Sequence, residues 1–379
     1  MRVVYCLDSI NRIGGIQRVT VTKANALAGI PGNEVWILIA DNSGKRVYEV
    51  SPKVHVIDLD INYYSDDWKS RWYVLKGFIV KRRLHRSRLK QELARIKPDV
   101  VVSVGQSEKH FLPGIKGPWA RVREIHFPKN YRWLAADSLF DRILAVGGDI
   151  YDYRFRIHRY DRIVVLTNED RERNWKFGNK VVVIPNPCEV RDAGVSALED
   201  KRVIAAGRLT SHKNFSSLIR AFRKVADKHP DWRLDIFGEG DEREPLQKHI
   251  SELSLAGNVS LKGSAGDIIK EMKASSVLAL SSRFEGFGLV LIEAMSVGVP
   301  VVAYACPCGP KDIVTEGVDG FLVPFGDEDS MAGKLCELIE DERKRRSMGM
   351  AALSKAARYN VGEIMRMWMS LFGELAVND

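Results

Sequence analysis

The sequence predicts an α/β protein of two doubly wound domains with parallel sheets. Three observations carry that expectation. Short β-branched runs alternate with helix-patterned stretches along the chain. The 379 residues exceed what one ordinary hydrophobic core supports. The strand–loop–helix series also restarts after Ile184-Pro-Asn-Pro-Cys188, whose two prolines interrupt helical continuation. The domains are therefore drawn at 1–186 and 187–379.

In the first half the apolar runs 3–7, 34–40, 55–59, 100–104, 120–126, 162–167 and 181–185 read as strands. In the second half the runs are 203–206, 233–237, 259–262, 277–281, 301–305 and 321–323. Residues 216–229 place Leu218, Ile219, Phe222 and Val225 on one helical face, and 331–339 reads likewise. Residues 354–375 read as a terminal helix whose Met365, Trp368, Met369 and Phe372 pack it back on the body.

Hydrophobic content of 45% and charged content of 28% exclude a disordered chain. No window has the roughly 18–20 apolar residues of a spanning helix. The first residues enter a strand without a signal-peptide core, so a cytoplasmic location is expected. Five cysteines without paired spacing read as reduced thiols. Cys306-Pro-Cys308 lacks a matching ligand cluster, and no metal is expected. Charge is uneven: 1–187 holds 33 basic and 20 acidic residues (+13), and 188–379 holds 25 and 29 (−4). The first half should meet something anionic.

The strongest chemical signal is Arg283-Phe-Glu285-Gly-Phe-Gly288-Leu-Val-Leu-Ile-Glu293-Ala, which follows a strand and opens a helix. Gly286 and Gly288 allow a tight turn around Phe287, and the amides of Gly288, Leu289 and Val290 face a phosphate-sized ligand. Glu285 in the turn suits sugar hydroxyls, and Glu293 in the second helical turn suits a vicinal diol such as a ribose. Upstream, Arg208 and Lys213 follow another strand and converge across a loop. Two such cations neutralise a diphosphate and lower the barrier as charge develops on it. Both glutamates are thus binding groups, and the catalytic push falls to Arg208 and Lys213.

The element E-G-F-G-x-x-x-x-E-A resembles the signature of retaining glycosyltransferase family 4. Gly207-Arg-Leu-Thr-Ser-His-Lys213-Asn, Val183-Ile-Pro-Asn-Pro187, Asn11-Arg-Ile-Gly14-Gly15, Gly298-Val-Pro-Val-Val and Gly317-Val-Asp-Gly-Phe-Leu-Val are similar to further family motifs in family order. The resemblance implies the GT-B architecture, two Rossmann-like domains facing across a cleft, with donor binding in the second domain and acceptor binding in the first. It implies a nucleotide diphosphate sugar as donor, UDP-hexose or UDP-N-acetylhexosamine being common, and same-face attack in which the leaving diphosphate helps deprotonate the acceptor. It also places Gly238 and Gly263 beside the nucleotide base and His126 beside the transferred sugar. Phe237-Gly238-Glu-Gly240 lacks the third glycine of a dinucleotide fingerprint, which weighs against a nicotinamide cofactor.

In the first half, Gly14 and Gly15 lie between Arg12 and Arg18 and read either as a close approach to phosphate or as a plain turn. Asp58-Leu-Asp60 reads as solvated carboxylates. Residues 69–97 carry eleven Lys or Arg and one acid, Glu92, with Trp68, Trp72, Tyr73 and Phe78 at the start. That mixture suits peripheral contact with an anionic membrane and so a glycan or polyprenyl-diphosphate-linked acceptor, and no nucleic-acid module accompanies it. Two other readings stay open: another enzyme on the same scaffold, either a sugar-nucleotide epimerase or a phosphorylase, the latter requiring Lys213 or Lys311 as a pyridoxal lysine, and a non-catalytic nucleotide-sugar binder.

Overall fold

In the computed structural model the described residues are all except 12–13, 45–46, 64–70, 130, 135–137, 153–155, 190–193 and 377–379; the side chains of 71–78, 132, 134, 140–141, 144–145 and 149 also lie outside the description. Arg12, Trp68 and Lys69 therefore fall outside it, as do the side chains of Trp72, Tyr73 and Phe78.

The chain divides into two units. The first holds Met1–Leu166, Asn174–Pro187 and Val361–Asp379, and the second holds Thr167–Arg173 and Cys188–Asn360. In the first, β1 (Arg2–Leu7), β2 (Glu34–Ile39), β3 (Val54–Asp58), β4 (Val100–Ser103), β5 (Ala120–Glu124), β6 (Arg162–Val165) and β7 (Val181–Val183) form one sheet in the order β3-β2-β1-β4-β5-β6-β7. In the second, β8 (Arg202–Ala206), β9 (Arg233–Phe237), β10 (Val259–Gly263), β11 (Val277–Leu280), β12 (Val301–Tyr304) and β13 (Gly320–Val323) are ordered β10-β9-β8-β11-β12-β13. The described strand pairs are all parallel. Each apolar run forms a strand because helices cover both sheet faces, so the inner strands β4, β11 and β12 are buried throughout, while the edge strands β3 and β10 keep exposed positions. The order reverses once per sheet, between β1 and β4 and between β8 and β11. The carboxyl ends of those strand pairs splay apart and form the binding crevice of an open sheet. The fold is GT-B.

The chain's end departs from the sequence expectation in two ways. Residues 354–375 are not one helix: helix Glu342–Ala356 closes in a 3₁₀ turn, and a separate helix, Val361–Ala376, follows. The cause is Asn360, which turns extended and bridges Cys188, while the Cys188 amide takes the Tyr359 carbonyl at 2.8 Å. The last helix, drawn with the second domain, belongs to the first unit. Its Ile364, Met365, Trp368, Leu371, Phe372 and Leu375 enter the core around Val3, Tyr5, Val35 and Val102. Each such side chain contributes roughly 1.5–3 kcal/mol.

Candidate functional site

In the second unit the reversal point lies between β8 and β11, and the two loops leaving those strands carry the residues the sequence singled out. The β8 loop ends in a 3₁₀ turn, Ser211–Lys213, which aims Lys213 at the β11 loop. Lys213 Nζ donates to Glu285 Oε1 at 2.6 Å, and Ser282 Oγ donates to the same oxygen at 2.6 Å. The Glu285 amide is held by the Pro307 carbonyl at 3.1 Å, and the Arg283 amide by the His212 carbonyl at 2.8 Å. The carboxylate is therefore fixed by its own backbone and two side-chain donors. Arg208 is exposed at the start of the same loop.

His212 completes this group. Its ring stacks on Phe284 at 5.4 Å between centroids, and its Nδ1 lies 2.9 Å from Thr210 Oγ1. Burial, then the cations Lys213 and Arg208, lower its pKa, so the ring is neutral near pH 7. Glu285 acts on the same imidazole in the opposite sense.

The loops are knitted backbone to backbone. A Cβ on Gly238 would lie 1.8 Å from the Gly207 carbonyl oxygen, so only glycine lets the β9 loop cross the β8 loop there. The Gly238 amide in turn donates to the Gly263 carbonyl at 2.8 Å. On the other side, a Cβ on Gly309 would sit 2.0 Å from the Phe287 carbonyl oxygen, which presses the β12 loop onto 285–288. Gly286 is half-buried and Phe287 buried, with its ring edge-on to Tyr359 at 5.8 Å. Gly288, at φ 94°, caps the short helix Leu289–Met295 without a side-chain cap, and Leu289 and Val290 are half-buried in its first turn. Glu293 is a buried carboxylate in the second turn. Lys311 donates to Glu169 at 3.0 Å, and the Glu169 carboxylate also accepts from the Cys308 amide at 2.9 Å. Lys311 is thus engaged in an ion pair with Glu169.

In the first unit, His126 lies just beyond β5 with its Nε2 3.2 Å from Glu124 Oε1. Glu124 also holds the ammonium of Lys23, which lies 4.5 Å from the Trp368 ring centroid. Burial raises the Glu124 carboxyl, but Lys23 and His126 overcome it and hold it at about 2. His126, Phe127, Tyr131, Asp152, Arg156 and Tyr160 help line a cavity with about 520 Å³ of empty space, part of it open to solvent. Phe127 and Tyr131 stack at 4.9 Å. At the reversal point of this sheet, Asp8 accepts the Gln106 and Ser107 amides at 2.8 and 3.1 Å. Buried Glu108 beside it is raised to about 7, first by burial and then by Asp8.

Gly14, read from the sequence either as a close approach to phosphate or as a plain turn, is held by Tyr48. Its amide donates to the Tyr48 hydroxyl at 3.0 Å, and that hydroxyl donates back to the Gly14 carbonyl at 3.1 Å. Gly15 opens helix Gly15–Gly29 and is exposed. Asp58 Oδ1 accepts the Asp60 amide at 2.7 Å, and Asp60 pairs with Arg88 at 3.3 Å, so the pair serves the chain locally. The basic segment forms helix Arg71–Ile96. Lys81 is used on the Asn62 carbonyl at 2.6 Å and Arg88 on the Leu59 carbonyl at 2.6 Å, whereas Arg83, Arg86 and Lys90 are exposed.

Sequence reasoning missed His212, Ser282 and the Lys23–Glu124 pair. A lysine on the apolar stripe Val19, Lys23, Leu27 of one helix was a visible signal for the last. His212 and Ser282 carried none, because their roles follow from loop contacts alone.

Comparison with known proteins gives two family matches, "Glycosyltransferase Family 4" over residues 13–191 and "Glycosyl transferases group 1" over 189–355. An exopolysaccharide phosphotransferase of Streptomyces coelicolor is 35% identical over 99% of this chain; the chain spans 41% of that protein's length. The amylovoran biosynthesis glycosyltransferase AmsD of Erwinia amylovora is 32% identical over 97% of this chain and 98% of its own. Among solved structures, Anabaena HepE in complex with UDP-glucose superposes with a TM-score of 0.75 at 17% identity, over 99% of this chain and all of that one.

Proposed function

The chain belongs to glycosyltransferase family 4, and on that premise we propose a retaining transferase that moves a hexose or N-acetylhexosamine from a UDP-sugar to a glycan or lipid-linked acceptor in polysaccharide synthesis. One observation carries this reading: Arg208, Lys213 and Glu285 come together at the reversal point of the second sheet. Relatives support it, since AmsD acts in amylovoran biosynthesis and HepE holds UDP-glucose.

The donor diphosphate lies against Arg208 and Lys213, with the uncapped amides at 288–290 adding hydrogen bonds. Two cations supply the neutralisation that a metal provides elsewhere, so the reaction needs none. The bond from the anomeric carbon to the phosphate oxygen breaks with its electron pair going to the diphosphate. The acceptor hydroxyl attacks the same face, and its proton passes to the departing phosphate oxygen. Glu285 accepts from sugar hydroxyls once Lys213 turns to the phosphates, Glu293 reads the ribose, Gly238 and Gly263 border the base, and His126 orients the sugar. Charge stabilisation of this kind is worth about 2.7–4 kcal/mol per group.

Peripheral contact with the cytoplasmic leaflet through the basic segment 69–97 fits the same reading. Its working cations are Arg83, Arg86 and Lys90 rather than the engaged Lys81.

Incubation with UDP-, GDP- and ADP-sugars, followed by assay of the released nucleotide diphosphate, tests the reaction. Release from a UDP-sugar that Arg208→Ala and Lys213→Ala abolish is expected. Absence of release from every donor, with nucleotide binding intact in both variants, would end this assignment.

A further inference from the structure

Helix Leu139–Tyr151 reverses the usual arrangement of a surface helix. At about 100° per residue, positions 139, 143, 146 and 150 fall within about 60° of arc. Leu139, Ile143, Val146 and Ile150 at those positions are 76%, 62%, 45% and 56% exposed. A monomeric soluble protein turns such a stripe inward. The preceding turn adds an exposed Trp133, whose ring lies 5.2 Å from the Arg142 guanidinium, and Tyr151 at the helix end is exposed as well. Indole and phenol rings beside a cation suit the boundary between headgroups and acyl chains.

The end of this helix, at Tyr151, lies near the basic helix Arg71–Ile96. Arg82 on that helix interacts with Tyr151, Asp152 and Arg156. The same helix exposes Ile79, Val80 and Leu84 alongside Arg83, Arg86 and Lys90. Aliphatic side chains thus stand among cations on one helix and beside cations on the next.

Charge decides what covers this face. A second copy packed by a two-fold axis would bring Arg83, Arg86 and Lys90 against the same cations. A bilayer with anionic headgroups offers the opposite charge at the level of the cations and hydrocarbon just below it. No described helix is long and apolar enough to cross a membrane, so the chain would lie on the surface.

We propose that helix Leu139–Tyr151 is an interfacial membrane anchor, with Leu139, Ile143, Val146 and Ile150 immersed among acyl chains and the basic helix resting on anionic headgroups. This goes beyond attraction by a basic segment, because it assigns the depth of contact to a different element. The cavity lined by Tyr131, Asp152 and Arg156 is built in part from residues that flank this helix on either side. The consequence that a lipid-linked acceptor reaches it from the membrane rests on the proposed transfer reaction; the anchoring itself does not.

The test is sedimentation of the full chain with phosphatidylcholine:phosphatidylglycerol vesicles. Ile143→Ser with Ile150→Ser should weaken binding at least about tenfold, the scale set by withdrawing aliphatic side chains from hydrocarbon. Because both positions are exposed, melting should be unchanged. Arg83→Gln, Arg86→Gln and Lys90→Gln together should remove the salt dependence of binding. Equal binding by the serine variant would overturn the proposal. So would wild-type protein that ignores vesicles but forms dimers in sedimentation velocity, which the serine pair dissolves. Nucleotide diphosphate release, measured without vesicles, keeps the readings separate: a chain that binds vesicles through the stripe yet releases nothing refutes the transferase and leaves the anchor standing.

Discussion

In the first unit, Lys23 and Glu124 keep 0% and 1% of their side-chain surface, whereas in the second Lys213 and Glu285 keep 16% and 10%. Both are lysine–glutamate pairs at short range, yet their surroundings give them opposite uses. Water cannot reach Lys23, whose ammonium is walled by Tyr5 and Trp368. Separating that pair would leave a bare charge in an apolar interior. Lys213 borders solvent on a loop with exposed Arg208, so an arriving phosphate can take its ammonium without stranding a charge. Exposure of about a tenth of the surface separates a fixed strut from an exchangeable site.

Lys23→Ala should show the largest effect. It leaves Glu124 uncompensated and should destabilise the first unit by about 3–5 kcal/mol. Tryptophan fluorescence during urea unfolding reads this, because seven of the eight tryptophans lie in the first unit. Lys23→Met with Glu124→Leu should recover most of the loss. The pair also predicts an acid limb. With Glu124 held near 2 against an ordinary 4.5, its stabilisation is complete above about pH 4.5 and is lost as pH falls toward 2. The double variant should lack that limb.

Lys213→Ala should lower turnover by roughly 10²–10³-fold, about 2.7–4 kcal/mol of transition-state stabilisation, while shifting the unfolding free energy by under about 1 kcal/mol. If stability fell as far as in Lys23→Ala, the contrast between strut and site would fail.

Glu108→Gln sharpens the comparison from the other side. Its carboxyl is raised to about 7 from an ordinary 4.5, so the wild-type fold loses stability as pH rises from about 4.5 through 7. The glutamine variant should match wild type near pH 4 and exceed it by roughly 2–3 kcal/mol at pH 8, as read by urea midpoints at the two values. The smallest change is expected from Ser282→Ala. Losing one donor to Glu285 should weaken turnover several-fold, on the order of 1 kcal/mol, and equal kinetics would show that Lys213 alone positions the carboxylate.

The strands were legible because parallel sheets are apolar on both faces, so each of their runs stands out against polar loops. Glu285, Arg208 and Lys213 were legible because they lie in loops that follow apolar strands, with Gly286 and Gly207 beside two of them. The rest depended on contacts far apart in the chain. Nothing local tells that Tyr48 closes on Gly14, or that Val361–Ala376 belongs with helix Gly15–Gly29 rather than with the residues preceding it. Exposure of Leu139, Ile143, Val146 and Ile150 was equally hidden, since the same spacing reads as an ordinary buried face.

The bridge between Cys188 and Asn360 has a consequence for how the chain tolerates change. The long excursion through 188–360 begins and ends at neighbouring residues. To the first unit it is a closed loop whose ends are already joined, and closure entropy grows only slowly with the length of what lies between. Insertions or exchanges inside the excursion should therefore disturb the first unit's core and its terminal helix least where they avoid Cys308 and Lys311, which hold Glu169 in the link between β6 and β7. The covalent order of the chain and its capacity to be rebuilt piecewise are, at this point, independent.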